Sequence, residues 1–135
     1  MFPGCTNTTM GRASRAKGQR GEREWRKWLL NNLGCIFARR GWQTRGGGME
    51  EPDVKDGIPG THPEVKRVEK LNIWAAMAQA EEDAAVRGHI PYTAFRRNRG
   101  RWYVCTPADD LVGLSVAVVK QALDGGFLTA KDILP

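Results

Sequence analysis

Asp53, Glu64 and Lys66 fall within "PDVKDGIPGTHPEVK", residues 52 to 66. Their types and spacing suit phosphodiester hydrolysis assisted by a hard cation. Mg²⁺ takes one or two carboxylates and completes its shell with water and substrate oxygens, so two acids are enough. Asp53 and Glu64 stand eleven positions apart, close enough to converge if they lie on neighbouring strands of one hairpin. Glu64 and Lys66 flank Val65 and share one face of a strand, because side chains repeat every second residue. Lys66 would then stand beside the attacking water or the charge building on phosphorus. Glu22, at the start of the first predicted helix, could supply a third carboxylate, with Glu24 as its substitute if the helix is turned by one face. The same residues also suit a polar hairpin without chemistry, in which Glu22 and Glu24 are first-turn acids and Asp56-Gly57 is simply a turn.

These side chains need elements to hold them. In "GEREWRKWLLNNL", Gly21 to Leu33, the i, i+3, i+4 spacing of Trp25, Trp28 and Leu29 predicts a helix with one apolar face, ended by Gly34. "CIFARR" predicts a short strand, "GWQTRGGGMEE" a Gly-rich loop, and "PDVKDGIPGTHPEVKRV" two strands around a turn at Asp56 to Gly60. Asn72 can cap a helix to about Arg87, with Ile73, Met77, Ala80 and Ala84 spaced for burial and Gly88 closing it. "PYTAFRR" and "RWYVCT" predict a hairpin around Asn98 to Gly100, and Thr106, Pro107 and Asp109 form a helix-start signature for a final helix, Ala108 to Leu123. Within that segment "SVAVVK" is also compatible with a strand. The order is α β β β α β β α, which suits an α/β fold with a mixed central sheet flanked by helices.

The chain has 135 residues, of which 41% are apolar and 27% charged. That is a length and balance for one folded domain rather than a disordered chain. A net charge of +6 and pI of about 9.6 favour a polyanionic partner, nucleic acid before membrane. Residues 1–17 carry Arg12, Arg15 and Lys17 with no periodic apolar pattern, and are expected to form a flexible basic arm before a single domain at 18–135; Met10 is an alternative start. No stretch suits a signal peptide or membrane span, so a cytoplasmic location is expected. Cys5, Cys35 and Cys105 are widely spaced, and are expected as reduced thiols, the latter two inside strands. His62 and His89 stand isolated in the sequence, so zinc or cysteine-nucleophile chemistry has little to build on.

The Pro-Asp at 52–53 followed by Glu-Val-Lys at 64–66 resembles the PD-(D/E)XK nuclease superfamily. Together with "KGQRGERE" at 17–24 and "GRWYV" at 100–104, it is most similar to archaeal-type Holliday junction resolvases, over roughly residues 17 to 106. The resemblance implies a restriction-endonuclease-like αβββαβ core, here with an extra C-terminal helix. It implies a Mg²⁺ site (Mn²⁺ substituting) at Glu22, Asp53, Glu64 and Val65, a catalytic Lys66, and Gln79 holding water or phosphate from the following helix. It also implies a homodimer that nicks four-way DNA junctions in recombination or repair, as in a phage, with no organic cofactor. Duplex, flap or single-stranded DNA is the alternative substrate, and a basic module that binds nucleic acid without cutting it is the alternative of another class. Phosphate contacts are expected from Arg15, Lys17, Arg20, Arg40, Arg45, Arg67, Arg97 and Arg99.

Overall fold

Trp25 and Leu29 are almost fully buried and one helical turn apart, the arrangement their spacing predicts. The computed structural model describes residues 4–35, 39–40, 54–55 and 57–134, with side chains over 18–35 and 57–134. Its elements run α1 (Gly4–Leu33), β1 (Arg39–Arg40), β2 (Val54–Lys55), β3 (Thr61–Arg67), α2 (Ile73–Arg87), β4 (Ile90–Arg96) and β5 (Tyr103–Cys105). A short 3₁₀ turn (Ala108–Asp110), α3 (Leu111–Asp124) and α4 (Ala130–Ile133) follow.

α1 begins at Gly4 rather than Gly21, so the basic segment expected as a flexible arm carries helical backbone from residue 4 to 17. Ala, Arg and Lys at 12–17 lose little side-chain freedom in a helix, which lets it extend without an apolar face. α2 follows its sequence signals closely. The Asn72 side chain accepts from the Ala75 amide at 3.1 Å, Ala76, Met77, Ala80 and Ala84 are buried, and Gly88 closes the helix at φ 66.

β3 and β4 run parallel in the register Glu64↔Thr93 and Val65↔Ala94, joined by α2 as a crossover. β5 adds antiparallel to β4 through Phe95↔Tyr103, making a three-stranded mixed sheet in the order β3-β4-β5. Among the described residues β2 pairs with β1 and not with β3. The hairpin expected across residues 56–60 is therefore absent from the ladder there. The turn instead anchors β3, with Thr61 Oγ1 donating to the Ile58 carbonyl at 2.6 Å.

The core lies between α1 and the sheet, where Trp25, Leu29, Val65, Tyr92 and Ala94 pack with Leu114 and Ala122 of α3. Each large side chain buried there contributes about 1.5–3 kcal/mol. Trp25 stacks on Trp28, with ring centroids 4.8 Å apart, and its Nε1 donates to the Tyr92 hydroxyl at 3.1 Å. "SVAVVK" is helix, not strand. Thr106 does not cap that helix; its hydroxyl donates to the Pro91 carbonyl at 2.8 Å and ties the loop to β4. Cys35 is buried just beyond the end of α1 rather than in a strand. No helix among the described residues is long and apolar enough to cross a membrane.

Candidate active site

β3 sends alternate side chains to the two helices that sandwich it. Val65 and Arg67 face α1: a Cβ placed on Gly21 would stand 3.1 Å from Arg67 Cβ and 3.8 Å from Val65 Cγ1. His62, Glu64 and Lys66 therefore point to the opposite face, which α2 covers. On that face Lys66 Nζ lies 3.1 Å from Glu64 Oε1, so the two residues expected to share a face are brought into an ion pair. Glu64 is buried, whereas the Lys66 side chain is 38% exposed. The carboxylate is inside and the ammonium stands at the rim, where an anion can reach it.

α2 brings more acid to the same place. Gln79 Nε2 donates to Asp83 Oδ2 at 2.9 Å across one helical turn. Asp83 Oδ2 in turn lies 3.8 Å from Nε2 of His62, itself almost wholly buried. Donor atoms of His62, Glu64 and Asp83 all fall within 4.8 Å of one another. His62 is thus not isolated, as its sequence surroundings suggest. Burial pushes its pKa below the ordinary value, with His89 and Arg87 adding to the lowering and Asp83 opposing it. That shift favours the neutral imidazole, the form that can bind a cation.

His62 and Asp83 escape a motif-based reading, although each has a local signal. His62 is two residues before Glu64 on the same strand face, and Asp83 is four residues after Gln79 on α2. Gln79, expected to hold water or phosphate, donates from Nε2 to Asp83.

The Glu24 carboxylate, the alternative third acid, is held by two arginines on the other side of the sheet. Its Oε1 lies 2.9 Å from Arg67 Nε and its Oε2 2.8 Å from Arg96 Nη2, on the α1 side of the sheet. Arg67, expected at phosphates, is held in this network and also donates to Asn98 Oδ1 at 2.6 Å. Its head group is committed to the protein because α1 packs directly over the end of β3. Glu22 is half-buried beside Gly21 and lies outside the His62, Glu64 and Asp83 group. Val65 is a core residue facing α1.

Among the expected phosphate contacts, Arg20 is exposed on α1, and Arg97 and Arg99 are exposed in the β4–β5 turn. Gly100 N donates to the Arg97 carbonyl there at 3.0 Å. Arg15, Lys17 and Arg40 have backbone in α1 and β1, but their side chains lie outside the described residues, as do Asp53 and Arg45 altogether. No protein-family model, no curated protein and no solved structure matches this chain.

Proposed function

We propose that this chain is a metal-dependent endodeoxyribonuclease that hydrolyses phosphodiesters in branched DNA, with the four-way junction as preferred substrate. The observation that carries the proposal is the Glu64–Lys66 pair at 3.1 Å on the α2 face of β3. A buried carboxylate beside a rim ammonium is what phosphodiester hydrolysis needs, one group to hold a cation and one to meet developing negative charge. Asp53 and Glu64 would hold Mg²⁺ or Mn²⁺, with Val65 and Glu22 as further members. The ion, when bound, polarises the scissile phosphate and activates water. Lys66 would stabilise the charge on phosphorus as the attacking oxygen adds, and the pairing with Glu64 keeps its ammonium aimed into the site.

The net charge of +6 and the exposed Arg20, Arg97 and Arg99 support a DNA partner. The reading carries with it the restriction-endonuclease-like αβββαβ core, in which the β1-β2 pair, a separate two-stranded sheet among the described residues, would extend the β3-β4-β5 sheet. It also carries a two-fold homodimer, because a junction is cut on two symmetric strands. The exposed Leu111, Val112 and Val116 of α3 are apolar surface that could serve as its interface.

The test is incubation of the protein with labelled four-way junction, flap, duplex and single-stranded DNA of one sequence, with Mg²⁺ or EDTA, beside Asp53→Asn. Paired symmetric nicks on the junction, lost in EDTA and in the variant, are the expected result. Tight binding with no cutting in any metal would replace the proposal with a non-catalytic DNA-binding module.

A further inference from the structure

We infer that His62, Glu64 and Asp83 form a divalent-cation centre of mixed nitrogen and oxygen donors, selective for Mn²⁺ over Mg²⁺. The inference deepens the nuclease reading by adding His62 and Asp83 to the cation shell of Glu64, and its role in cutting rests on that reading. Its existence as a binding site does not.

The geometry comes first. The three side chains present donor atoms within 4.8 Å of one another, from two elements that the packing of α2 on β3 and β4 holds in place. Ligands 2.0–2.2 Å from an ion stand about 3.4 Å apart at a tetrahedral angle and about 4.2 Å apart when opposite. The 3.8 Å between His62 Nε2 and Asp83 Oδ2 falls between these limits. Closing the remaining slack on an ion takes side-chain rotation rather than movement of the strand or helix.

The second observation is the state of His62. The residue is 3% exposed. Its Nδ1 is buried without a hydrogen-bond partner, and its Nε2 is at 3.8 Å from Asp83, beyond hydrogen-bond reach. A buried imidazole nitrogen left without a hydrogen bond is costly. An ion accepting the lone pair of one ring nitrogen offsets that cost directly.

The surroundings are arranged as an outer shell. Gln79 Nε2 holds Asp83 Oδ2 at 2.9 Å, the kind of contact that fixes a ligating carboxylate. Lys66 at 3.1 Å stands in for a cation on Glu64. The Glu64 and Asp83 carboxylates bring two anionic oxygen donors to the His62 side of this face. The imidazole sets the preference: Mg²⁺ favours an all-oxygen shell, whereas Mn²⁺ and later first-row ions accept nitrogen readily.

The test titrates Mn²⁺ into wild type, His62→Gln and Asp83→Asn, following free Mn²⁺ by electron paramagnetic resonance, with Mg²⁺ as competitor. Thermal melts confirm that each variant is folded, and Asp83→Asn preserves shape if His62→Gln melts early. The expected result is tight binding in the wild type, at least 10-fold weaker in both variants, and displacement only by a more than 10-fold excess of Mg²⁺. Broadening of the ¹⁵N-labelled His62 ring resonances by substoichiometric Mn²⁺ is the companion signature. Equal affinity in wild type and folded variants, no binding at all, or displacement by equimolar Mg²⁺ would overturn it. DNA cleavage does not enter this readout: Mn²⁺ binding without cutting would sink the nuclease reading alone, and cutting that survives His62→Gln with unchanged Mn²⁺ affinity would sink the centre alone.

Discussion

Glu64 and Lys66 form an ion pair at 3.1 Å from neighbouring positions on one face of β3, with the carboxylate inside and the ammonium at the edge. Lys66→Ala and Glu64→Gln should each lower junction cleavage by at least about 10²-fold, the order expected for loss of a charge-stabilising group. Electrophoretic mobility shifts should show DNA binding by Lys66→Ala within a few-fold of wild type. Lys66→Ala cutting at the wild-type rate would remove the lysine from the mechanism.

Glu24 should behave quite differently from Glu22. Its carboxylate holds Arg67 and Arg96, whose side chains are 11% and 19% exposed, so Glu24→Gln leaves two largely sheltered guanidiniums short of charge. A loss of about 2 kcal/mol is expected by urea unfolding. Any residual nuclease activity below the melting temperature should be unaffected. A variant as stable as wild type would mean the network contributes nothing net.

Gly34 and Gly125 bring the ends of α1 and α3 into backbone contact. A Cβ on Gly34 would stand 2.6 Å from the Gly125 Cα, and one on Gly125 would stand 2.8 Å from the Gly34 Cα and against the Leu33 carbonyl oxygen. Gly34 also has φ +68, so alanine there is strained twice. Gly125→Ala should cost about 3 kcal/mol by forcing the two helix ends apart, seen as a melting temperature lower by roughly 10 °C. Gly126→Ala, where a Cβ would meet nothing within 4 Å, should cost about 1 kcal/mol through its positive φ alone.

Arg99 is the non-glycine residue with positive φ among the described residues, at φ 58 in the β4–β5 turn. Arg99→Gly should raise stability by up to about 1 kcal/mol. If Arg99 also contacts phosphate, the same variant should weaken DNA affinity and flatten its dependence on salt by about one unit of slope. A more stable protein with an unchanged slope would leave the turn without a role in binding.

Burial pushes the Cys35 thiol up to about 11, so only about one molecule in a thousand is thiolate at pH 8. Cys105 is half-exposed at the end of β5. Iodoacetamide at pH 8 followed by peptide mass mapping should label Cys105 well before Cys35 in the folded protein, and both at similar rates in urea.

Local rules determined α2, the buried face of α1 and the strand face that Glu64 shares with Lys66. The Asn72 cap, the Gly88 stop and the Met77, Ala80 and Ala84 stripe of α2 are all written within 17 residues and appear as expected, while Ile73 is only half-buried and Ala76 is buried beside Met77. So does the Trp25 and Leu29 face of α1. Strand alternation is equally local, and it placed Glu64 beside Lys66 without reference to any other element. It could not say which helix would cover that face. Only the docking of α1 over Val65 and Arg67, and of α2 over His62 and Glu64, decided that Glu24 would be consumed by Arg67 and Arg96 and that Asp83 would join His62. These contacts join residues as far apart as Glu24 and Arg96, 72 positions. No periodicity carries that distance, because the free energy that selects it comes from burying two different helix faces on one sheet at once.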